Sequence, residues 1–247
     1  MRSVVFADGA VGLSLLDWLI SNYKQDIALV VTVAENEIYR RARDQGLPCA
    51  VYSTEKELVA YISESGFNID FGFLFWWPKI IGMSVISLAK WGFINTHPSL
   101  LPHNRGKNYN FWAIVEEAPF GVTLHFVDSG VDTGDIVAQQ KIPYSWEDTG
   151  GSLYYRAQAA MVDLFVETYP ALRGGRYVRI KQDLSQGSFH KASELDSASR
   201  INLNEECQAR SLLNRIRART FDGYPACTFE EHGEEFEVRL LVTRRNK

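Results

Sequence analysis

The sequence contains few of the residues that mark disulfide-bonded, zinc-binding or membrane-spanning proteins. Its only cysteines are Cys49, Cys207 and Cys227, and an odd number at wide spacing gives neither a disulfide framework nor a zinc-type pair. The longest apolar run, 71–77, has the length of a strand rather than of a membrane span. The first residues lack the long apolar stretch of a signal peptide. We therefore expect free thiols and a soluble, cytoplasmic protein with no membrane partner.

Positive charge is not in excess either. Lysine and arginine together number 26 against 30 acidic residues, which gives a formal net charge of -4. Nonspecific nucleic-acid binding depends on a basic surface, so no nucleic-acid partner is expected.

A third glycine is also missing after Gly9 and Gly12, so a plain strand-to-helix turn is favoured there over a dinucleotide-binding fingerprint.

Apolar, β-branched runs alternate with helical patterns in the first half of the chain. The runs at 3–7, 27–33 and 69–76 are almost entirely apolar, as in strands buried on both faces of a parallel sheet. The clearest helix is predicted over 149–172, where apolar residues recur at helical spacing. The predicted fold class is therefore α/β, with a doubly wound, mostly parallel, Rossmann-like sheet.

The composition and the periodicity of the sequence change after about residue 180. Residues 207–219 are typical of a basic helix, and 228–242 of a hairpin with its turn at His232 and Gly233. We predict two domains, a catalytic domain over 1–180 and a small α+β C-terminal module over 181–247.

Residues able to perform acid, base or hydrogen-bond chemistry are concentrated between positions 92 and 137. Asn95 and His97 end one predicted strand, and Asp132 lies between two others. Open α/β sheets bind ligands at the carboxyl ends of their strands. An imidazole beside a carboxylate can serve acid or base chemistry near neutral pH, and an amide can donate to a developing oxyanion. The combination suits acyl transfer to a neutral amine.

Each of these parts also has a structural explanation when it is taken alone. A single histidine is usually structural, and an Asp-x-Gly segment is usually a turn. His103, His125 and Asp128 form an alternative metal-ligand set, but their spacing is too loose for a recognised zinc pattern. We therefore predict no metal.

The motifs at 95–102 and 128–134 resemble the folate-dependent formyltransferase superfamily. They read Asn-Thr-His-Pro-Ser-Leu-Leu-Pro and Asp-Ser-Gly-Val-Asp-Thr-Gly, against a family signature of Asn-x-His-Pro-Ser-x-Leu-Pro and Asp-x-Gly-x-Asp-Thr-Gly. The resemblance implies Asn95, His97 and Asp132 as the catalytic residues of a formyltransferase fold. It also implies 10-formyltetrahydrofolate as cosubstrate.

The same resemblance implies that the pterin ring lies between two loops, 77–82 and 126–132. The residues expected to bind the cofactor are listed here: Trp77, Lys79 and Ile81 in the first loop, and Asp128 and Asp132 in the second. Much of this recognition in the family comes from backbone groups. Trp76 and Trp77 are interpreted equally well as cleft walls or as core aromatic residues.

The stretch 105–112, Arg-Gly-Lys-Asn-Tyr-Asn-Phe-Trp, is similar to a segment of dTDP-amino-sugar N-formyltransferases. Arg105, Lys107 and Asn108 are therefore expected to contact the substrate. The arginines of the predicted helix 207–219 are open to two interpretations, a nucleotide diphosphate site or a structural face, and the second is favoured because charged helix faces are usually solvated.

The resemblance thus implies formyl transfer to the amine of a nucleotide-linked sugar, such as a dTDP-3- or 4-amino-dideoxyhexose. The product would serve surface-polysaccharide synthesis, including lipopolysaccharide O-antigen, and the enzyme is expected to be a homodimer.

The alternatives are a methionyl-tRNA or purine acceptor, a formyltetrahydrofolate hydrolase, and a silent nucleotide-sugar-binding module. The acidic composition fits tRNA poorly. No regulatory module of the hydrolase kind is expected before Val4, and the complete set of catalytic residues argues against a silent module.

Overall fold

A computed structural model describes residues 1–245, and the chain forms two compact units. The first unit comprises 1–97, 123–139 and 161–182, and the second comprises 98–122, 140–160 and, within the described residues, 183–245. The predicted boundary near residue 180 stays a prediction.

Within residues 1–245 the helices and strands alternate up to residue 97 and follow a less regular order after it. They are β1 (Ser3–Ala7), α1 (Gly9–Tyr23), β2 (Ile27–Thr32), α2 (Glu37–Asp44), β3 (Cys49–Val51), α3 (Glu55–Glu64), β4 (Phe71–Phe75), α4 (Met83–Ile86), β5 (Phe93–His97), β6 (Arg105–Gly106), α5 (Tyr109–Val115), β7 (Gly121–Phe126), β8 (Ile136–Lys141), α6 (Gly150–Arg173), β9 (Phe189–His190), α7 (Glu194–Ser199), α8 (Ala209–Arg219), β10 (Cys227–Glu231) and β11 (Glu234–Val238).

The main sheet has the strand order β3-β2-β1-β4-β5-β7-β8. Strands β1 to β5 pair in parallel, and β7 runs antiparallel to β5. The order turns back at β1, because the chain adds β2 and β3 on one side and β4 and β5 on the other. This confirms the predicted doubly wound, mostly parallel α/β fold.

Strand β4 shows how the sequence builds both faces of this sheet. Phe73 and Phe75 point to one face, where their rings lie 5.4 and 4.7 Å from the ring of Phe165 on α6. Gly72 and Leu74 face the other side of the sheet, as the two-residue period of a strand requires. There Gly72 lies directly under the ring of Phe93, which a β-carbon would overlap. The glycine therefore allows close packing at the strand next to the candidate site.

The sequence prediction and the structure differ mainly in short elements. Strand β3, helix α4 and the short β6–β9 pair were not predicted, because two to four residues carry too little periodicity. The predicted hairpin ends at Val238 rather than Val242, with its turn at His232 and Gly233 as expected.

In the second unit, α8 packs against α5 and carries a buried arginine. Arg217 is 4% exposed, and its Nη1 donates to the carbonyls of Ser145 and Asp148 at 2.9 Å each. Its Nε donates to Oδ1 of Asn214 at 2.9 Å, and the guanidinium lies 4.8 Å from the ring of Trp146. These contacts give Arg217 a structural role, but as a buried residue rather than as part of the solvated face that the sequence interpretation favoured.

A membrane-spanning helix is absent from the part of the chain that the structure describes. Even α6, which has 24 residues, carries Asp163 and Glu167 among its apolar positions.

Candidate functional site

The structure brings Asn95, His97 and Asp132 together in the first unit. Nδ1 of His97 lies 3.5 Å from Oδ2 of Asp132, and Nδ2 of Asn95 lies 3.5 Å from Oδ1 of the same carboxylate. The His97 and Asp132 side chains are only 5% and 15% exposed. Both distances exceed the 2.7–2.9 Å typical of charge-assisted hydrogen bonds. The arrangement can therefore tighten when a substrate enters, as catalytic hydrogen bonds often do.

His125, on β7, is a fourth member of this cluster. Its Nδ1 lies 2.8 Å from the carbonyl of Phe126 and must carry a hydrogen there, because a carbonyl only accepts. In the neutral ring Nε2 is then an acceptor, and Nδ2 of Asn95 lies 3.2 Å away to donate to it. Nε2 is also 3.6 Å from Oδ1 of Asp132. His125 is thus placed to fix which way the Asn95 amide faces.

Strand geometry explains the placement of Asn95 and His97. They are two residues apart on β5 and share one face, while Thr96 points the other way. The Thr96 hydroxyl accepts from the backbone N–H of Trp76 at 2.9 Å and donates to the carbonyl of Leu74 at 2.9 Å. Strand β5, which carries Asn95 and His97, is therefore hydrogen-bonded through Thr96 to the start of the loop that follows β4.

The loop that carries Asp132 is closed by its own side chains. Asp132 has a φ of 53°, in the left-handed region that aspartate adopts more readily than most residues. Oδ1 of Asp128 accepts from the backbone N–H of Gly130 at 3.0 Å and from Oγ1 of Thr133 at 2.6 Å. A β-carbon on Gly134 would overlap the carbonyl of Phe126. The Asp-x-Gly-x-Asp-Thr-Gly motif thus also encodes a loop shape.

Gln182 supports this loop from a distant part of the sequence. Its Nε2 donates to the carbonyls of Asp132 and Gly134 at 3.0 and 2.7 Å, and the residue is 7% exposed. Sequence reasoning missed this contact because Gln182 lies outside any periodic or motif-bearing segment.

The first predicted cofactor loop is anchored by buried side chains. Trp77 and Ile81 are 8% and 6% exposed and belong to the core of the sheet. Trp77 packs edge-on against Phe6 at 5.1 Å, so it is a core aromatic residue. Its Nε1 is buried and lacks a hydrogen-bond partner among residues 1–245. Lys79 is exposed, with Nζ 5.1 Å from the ring centroid of Tyr52.

The predicted substrate-contact residues lie in the second unit. Arg105, on β6, has no carboxylate within ion-pair distance among residues 1–245, and its buried Nε lacks a hydrogen-bond partner there. Lys107 is exposed and equally without an acidic partner in the described chain. Asn108 has a φ of 59° and precedes α5, a conformation that asparagine tolerates well. Arg105 and Lys107 are thus cations without a counter-charge from the described chain.

A buried histidine supports the strand that carries Arg105. His190, on β9, stacks on Trp112 with centroids 3.9 Å apart, and its Nε2 lies 2.8 Å from Oε1 of Glu116. Nδ1 lies 3.1 Å from Oε2 of Glu194. These contacts fix β9, and through it the backbone of β6.

One group in residues 1–245 has the geometry to hold a metal ion, and it consists of His97, His125 and Asp132, whose ligand atoms lie within 4.8 Å of one another. These residues differ from the set of His103, His125 and Asp128 considered from the sequence. The absence of a metal stays a prediction, since the same three residues form the proposed acid-base centre.

Comparison with known proteins agrees with this geometry. Residues 1–169 match the Formyl transferase family, and residues 194–244 match the N-formyltransferase dimerization C-terminal domain. The chain is 31% identical over 150 residues to the dTDP-4-amino-4,6-dideoxyglucose formyltransferase of Mycobacterium tuberculosis, which covers 60% of this chain and 64% of that protein. The matched part is thus just under two thirds of that relative.

Solved structures extend the similarity along the chain. A 4-N formyltransferase from Francisella tularensis has a TM-score of 0.82 and 21% identity, covering 99% of this chain and 98% of that one. A formyltransferase from Anoxybacillus kamchatkensis, in complex with UDP-4,6-dideoxy-4-formamido-L-AltNAc and tetrahydrofolate, has a TM-score of 0.58 and 26% identity. It covers 80% of this chain and 89% of its own. The motifs, the fold and the family match agree, and the chain belongs to the formyl transferase family.

Proposed function

We propose that this protein transfers the formyl group of 10-formyltetrahydrofolate to the amine of a nucleotide-linked amino-deoxy sugar. The observation that carries the proposal is the buried cluster of Asn95, His97 and Asp132 at the end of β5, in a chain of the formyl transferase family. An amide, an imidazole and a carboxylate are the groups that formyl transfer to a neutral amine needs.

In the proposed mechanism each side chain has a separate task. The Asn95 amide donates to the oxygen that becomes negatively charged when the amine attacks, and the long 3.5 Å contact to Asp132 leaves one of its hydrogens available. His97 holds or accepts a proton beside that oxygen and amine. The attacking amine gives up one proton, the bond between the formyl carbon and N10 breaks, and tetrahydrofolate leaves with a proton on N10. Asp132, 3.5 Å from Nδ1 of His97, orients the ring and stabilises its charged form. His125 keeps the Asn95 amide facing the reaction.

The proposed folate site is the loop 77–82 together with the loop around Asp132. Because Trp77 and Ile81 are buried in the core, these positions would bind folate through backbone groups. Asp128 acts mainly through the shape of its loop, since its carboxylate is engaged by Gly130 and Thr133.

We propose a sugar amine at ring position 4. The M. tuberculosis relative is a dTDP-4-amino-4,6-dideoxyglucose formyltransferase, and the A. kamchatkensis structure contains a 4-formamido sugar. Arg105 and Lys107 would contact the diphosphate, since guanidinium and ammonium groups without a counter-charge favour phosphate oxygens. The proposed setting is cytoplasmic synthesis of surface-polysaccharide precursors such as lipopolysaccharide O-antigen.

A homodimer completes the proposal. Residues 194–244 match a dimerization domain, and this stretch exposes Phe236 and Leu241 by 41% and 82%. Large apolar side chains at a surface are commonly buried by a partner.

The test is an end-point formylation assay. Purified protein is incubated with 10-formyltetrahydrofolate and a panel of dTDP- and UDP-linked 3-amino and 4-amino sugars, with mass detection of the formyl adduct. We expect a single strong acceptor among the 4-amino sugars, and unchanged turnover when a chelator is present. Adduct formation on 3-amino sugars alone would overturn the amine position. Formate release without any amine would instead indicate a hydrolase, and no turnover at all a silent binding module.

A further inference from the structure

We propose that Glu55 is a positioning residue for the folate loop, here the proposed folate segment 77–82 together with Trp76. Oε1 of Glu55 accepts from the backbone N–H of Gly82 at 2.5 Å, and Oε2 accepts from Oγ of Ser84 at 2.6 Å. Glu55 is 27 residues away in sequence and lies at the start of α3. One carboxylate therefore fixes the end of the loop and the start of α4 to a different helix. The inference rests on the proposed function, because that function assigns folate to this loop.

Gly82 is shaped for this contact. A β-carbon there would lie 2.5 Å from Oε2 of Glu55, which is closer than any real contact. Glycine at position 82 therefore leaves room for the carboxylate where it lies, and a larger residue would displace the end of the Glu55 side chain. The glycine and the glutamate therefore act as one unit.

The other end of the folate loop is fixed by the strand that carries the proposed catalytic residues. Trp76 has a φ of 54°, which is an uncommon conformation for an aromatic residue. Its backbone N–H donates to Oγ1 of Thr96 at 2.9 Å, and Thr96 lies between Asn95 and His97. Thr96 thus sets where the loop begins relative to the reaction, and Glu55 sets where it ends.

Between these two ends the loop has little support of its own. Pro78, Lys79 and Ile80 are exposed, and Ile80 is 85% exposed. The buried side chains of Trp77 and Ile81 hold the loop down, but they do not fix its backbone N–H and carbonyl directions. Backbone directions matter here because the proposed folate contacts are backbone contacts. Hydrogen bonds to a carboxylate are stronger than neutral ones, so losing Glu55 should loosen the binding conformation rather than the fold.

The test compares Glu55→Ala and Glu55→Gln with wild type in steady-state kinetics. A hydrogen bond to a charged group is worth roughly a factor of ten or more in an equilibrium. We therefore expect Glu55→Ala to raise KM for 10-formyltetrahydrofolate about ten-fold, with kcat and KM for the amino sugar within about two-fold of wild type. Glu55→Gln keeps an acceptor for Gly82 and should recover part of the loss. Glu64→Ala, at the exposed end of the same helix, is the matched control and should behave as wild type.

Hydrogen exchange of the folate loop gives a second readout that needs no activity. The Gly82 amide should exchange faster in Glu55→Ala, while the strands β1 and β4 keep their protection. An unchanged folate KM, a fall in kcat alone, or unchanged exchange at Gly82 would overturn the inference. If wild type shows no folate-dependent formylation, the proposed function fails, and the exchange of Gly82 still decides whether Glu55 fixes the loop.

Discussion

Two clusters of buried polar side chains lie in the first unit, and they differ in how tightly they are bonded. At the end of β5, the polar atoms of Asn95, His97, His125 and Asp132 lie 3.2 to 3.6 Å apart. Just before β2, Asp26 is held much more tightly. Its Oδ2 accepts from Nε of Arg173 at 2.6 Å and from the hydroxyl of Tyr169 at 3.0 Å.

The difference teaches how one sheet separates function from stability. The β5 cluster lies at the carboxyl end of its strand, where open α/β sheets bind ligands, and Asp26 lies at the amino end of β2. The contacts among the four side chains of the first cluster are long, which suits groups that must exchange partners during a reaction. Groups that only hold the fold have short ones. Mutations in the first cluster should therefore cost activity, and mutations in the second should cost stability.

The largest expected effect is loss of turnover in His97→Asn. The asparagine cannot hold or accept a proton beside the amine as His97 does, and the removal of a group in an oxyanion or acid-base role typically costs on the order of 100- to 1,000-fold. The free energy of unfolding, measured with urea, should change less than in Asp26→Asn, since the contact between His97 and Asp132 is long. Turnover near that of wild type would contradict the proposed mechanism.

The second largest expected effect is a loss of stability without a loss of activity, in the cluster around Asp26. Asp26→Asn leaves Arg173 without its buried partner, and breaking such a pair costs about 3–5 kcal/mol. Because the Arg173 side chain is 41% exposed, water should reduce this cost to about 2–3 kcal/mol in urea unfolding. Formylation by the folded variant should equal that of wild type.

A matched control comes from an exposed ion pair. Asp17 lies 2.8 Å from Arg41, and the two side chains are 37% and 42% exposed. Asp17→Asn should therefore cost less than about 1 kcal/mol. An equal cost at positions 17 and 26 would mean that burial does not distinguish the two pairs.

A smaller effect is expected from His125, which acts through Asn95. His125→Ala removes the acceptor 3.2 Å from the Asn95 amide, so the amide should turn away for part of the time. We expect kcat to fall about ten-fold, as for loss of one hydrogen bond. His125→Gln should recover part of the activity because its Oε1 can accept the same hydrogen. If alanine and glutamine lose the same activity, His125 does not orient Asn95 through Nε2.

The residues of the proposed catalytic cluster belong to contiguous motifs, so their proximity could be predicted from the sequence. Asn95 and His97 are two residues apart, and a strand of any apolar sequence places such residues on one face. Asp132 is found from its motif, which also supplies the turn residues Gly130 and Gly134. Local pattern and global fold agree at these positions.

The sequence could not predict the supporting residues, because their contacts join distant segments. Gln182 reaches the Asp132 loop across 50 residues and Glu55 reaches Gly82 across 27. Neither residue has a distinguishing neighbourhood in the sequence, since a glutamate at a helix start is common and a glutamine in a polar segment carries no signal. Tertiary packing alone gives them their role.

The smallest expected effect is a change in the free energy of unfolding at alkaline pH, caused by Tyr169. Burial, followed by repulsion from the Asp26 carboxylate, raises the pKa of this phenol well above its ordinary value of 10. The folded protein therefore keeps the proton that the unfolded chain releases, so this contribution to stability is complete below about pH 10 and is lost as the pH rises above it.

At pH 8, Tyr169→Phe should be less stable than wild type by about 1 kcal/mol, the value of one hydrogen bond. Above pH 10 wild type loses stability through Tyr169 and the variant does not, so the gap should narrow by about 1.4 kcal/mol per pH unit. Urea unfolding of both proteins from pH 8 to 11 measures this gap. A gap that stays constant would mean that the Tyr169 hydroxyl is not held in its neutral form beside Asp26.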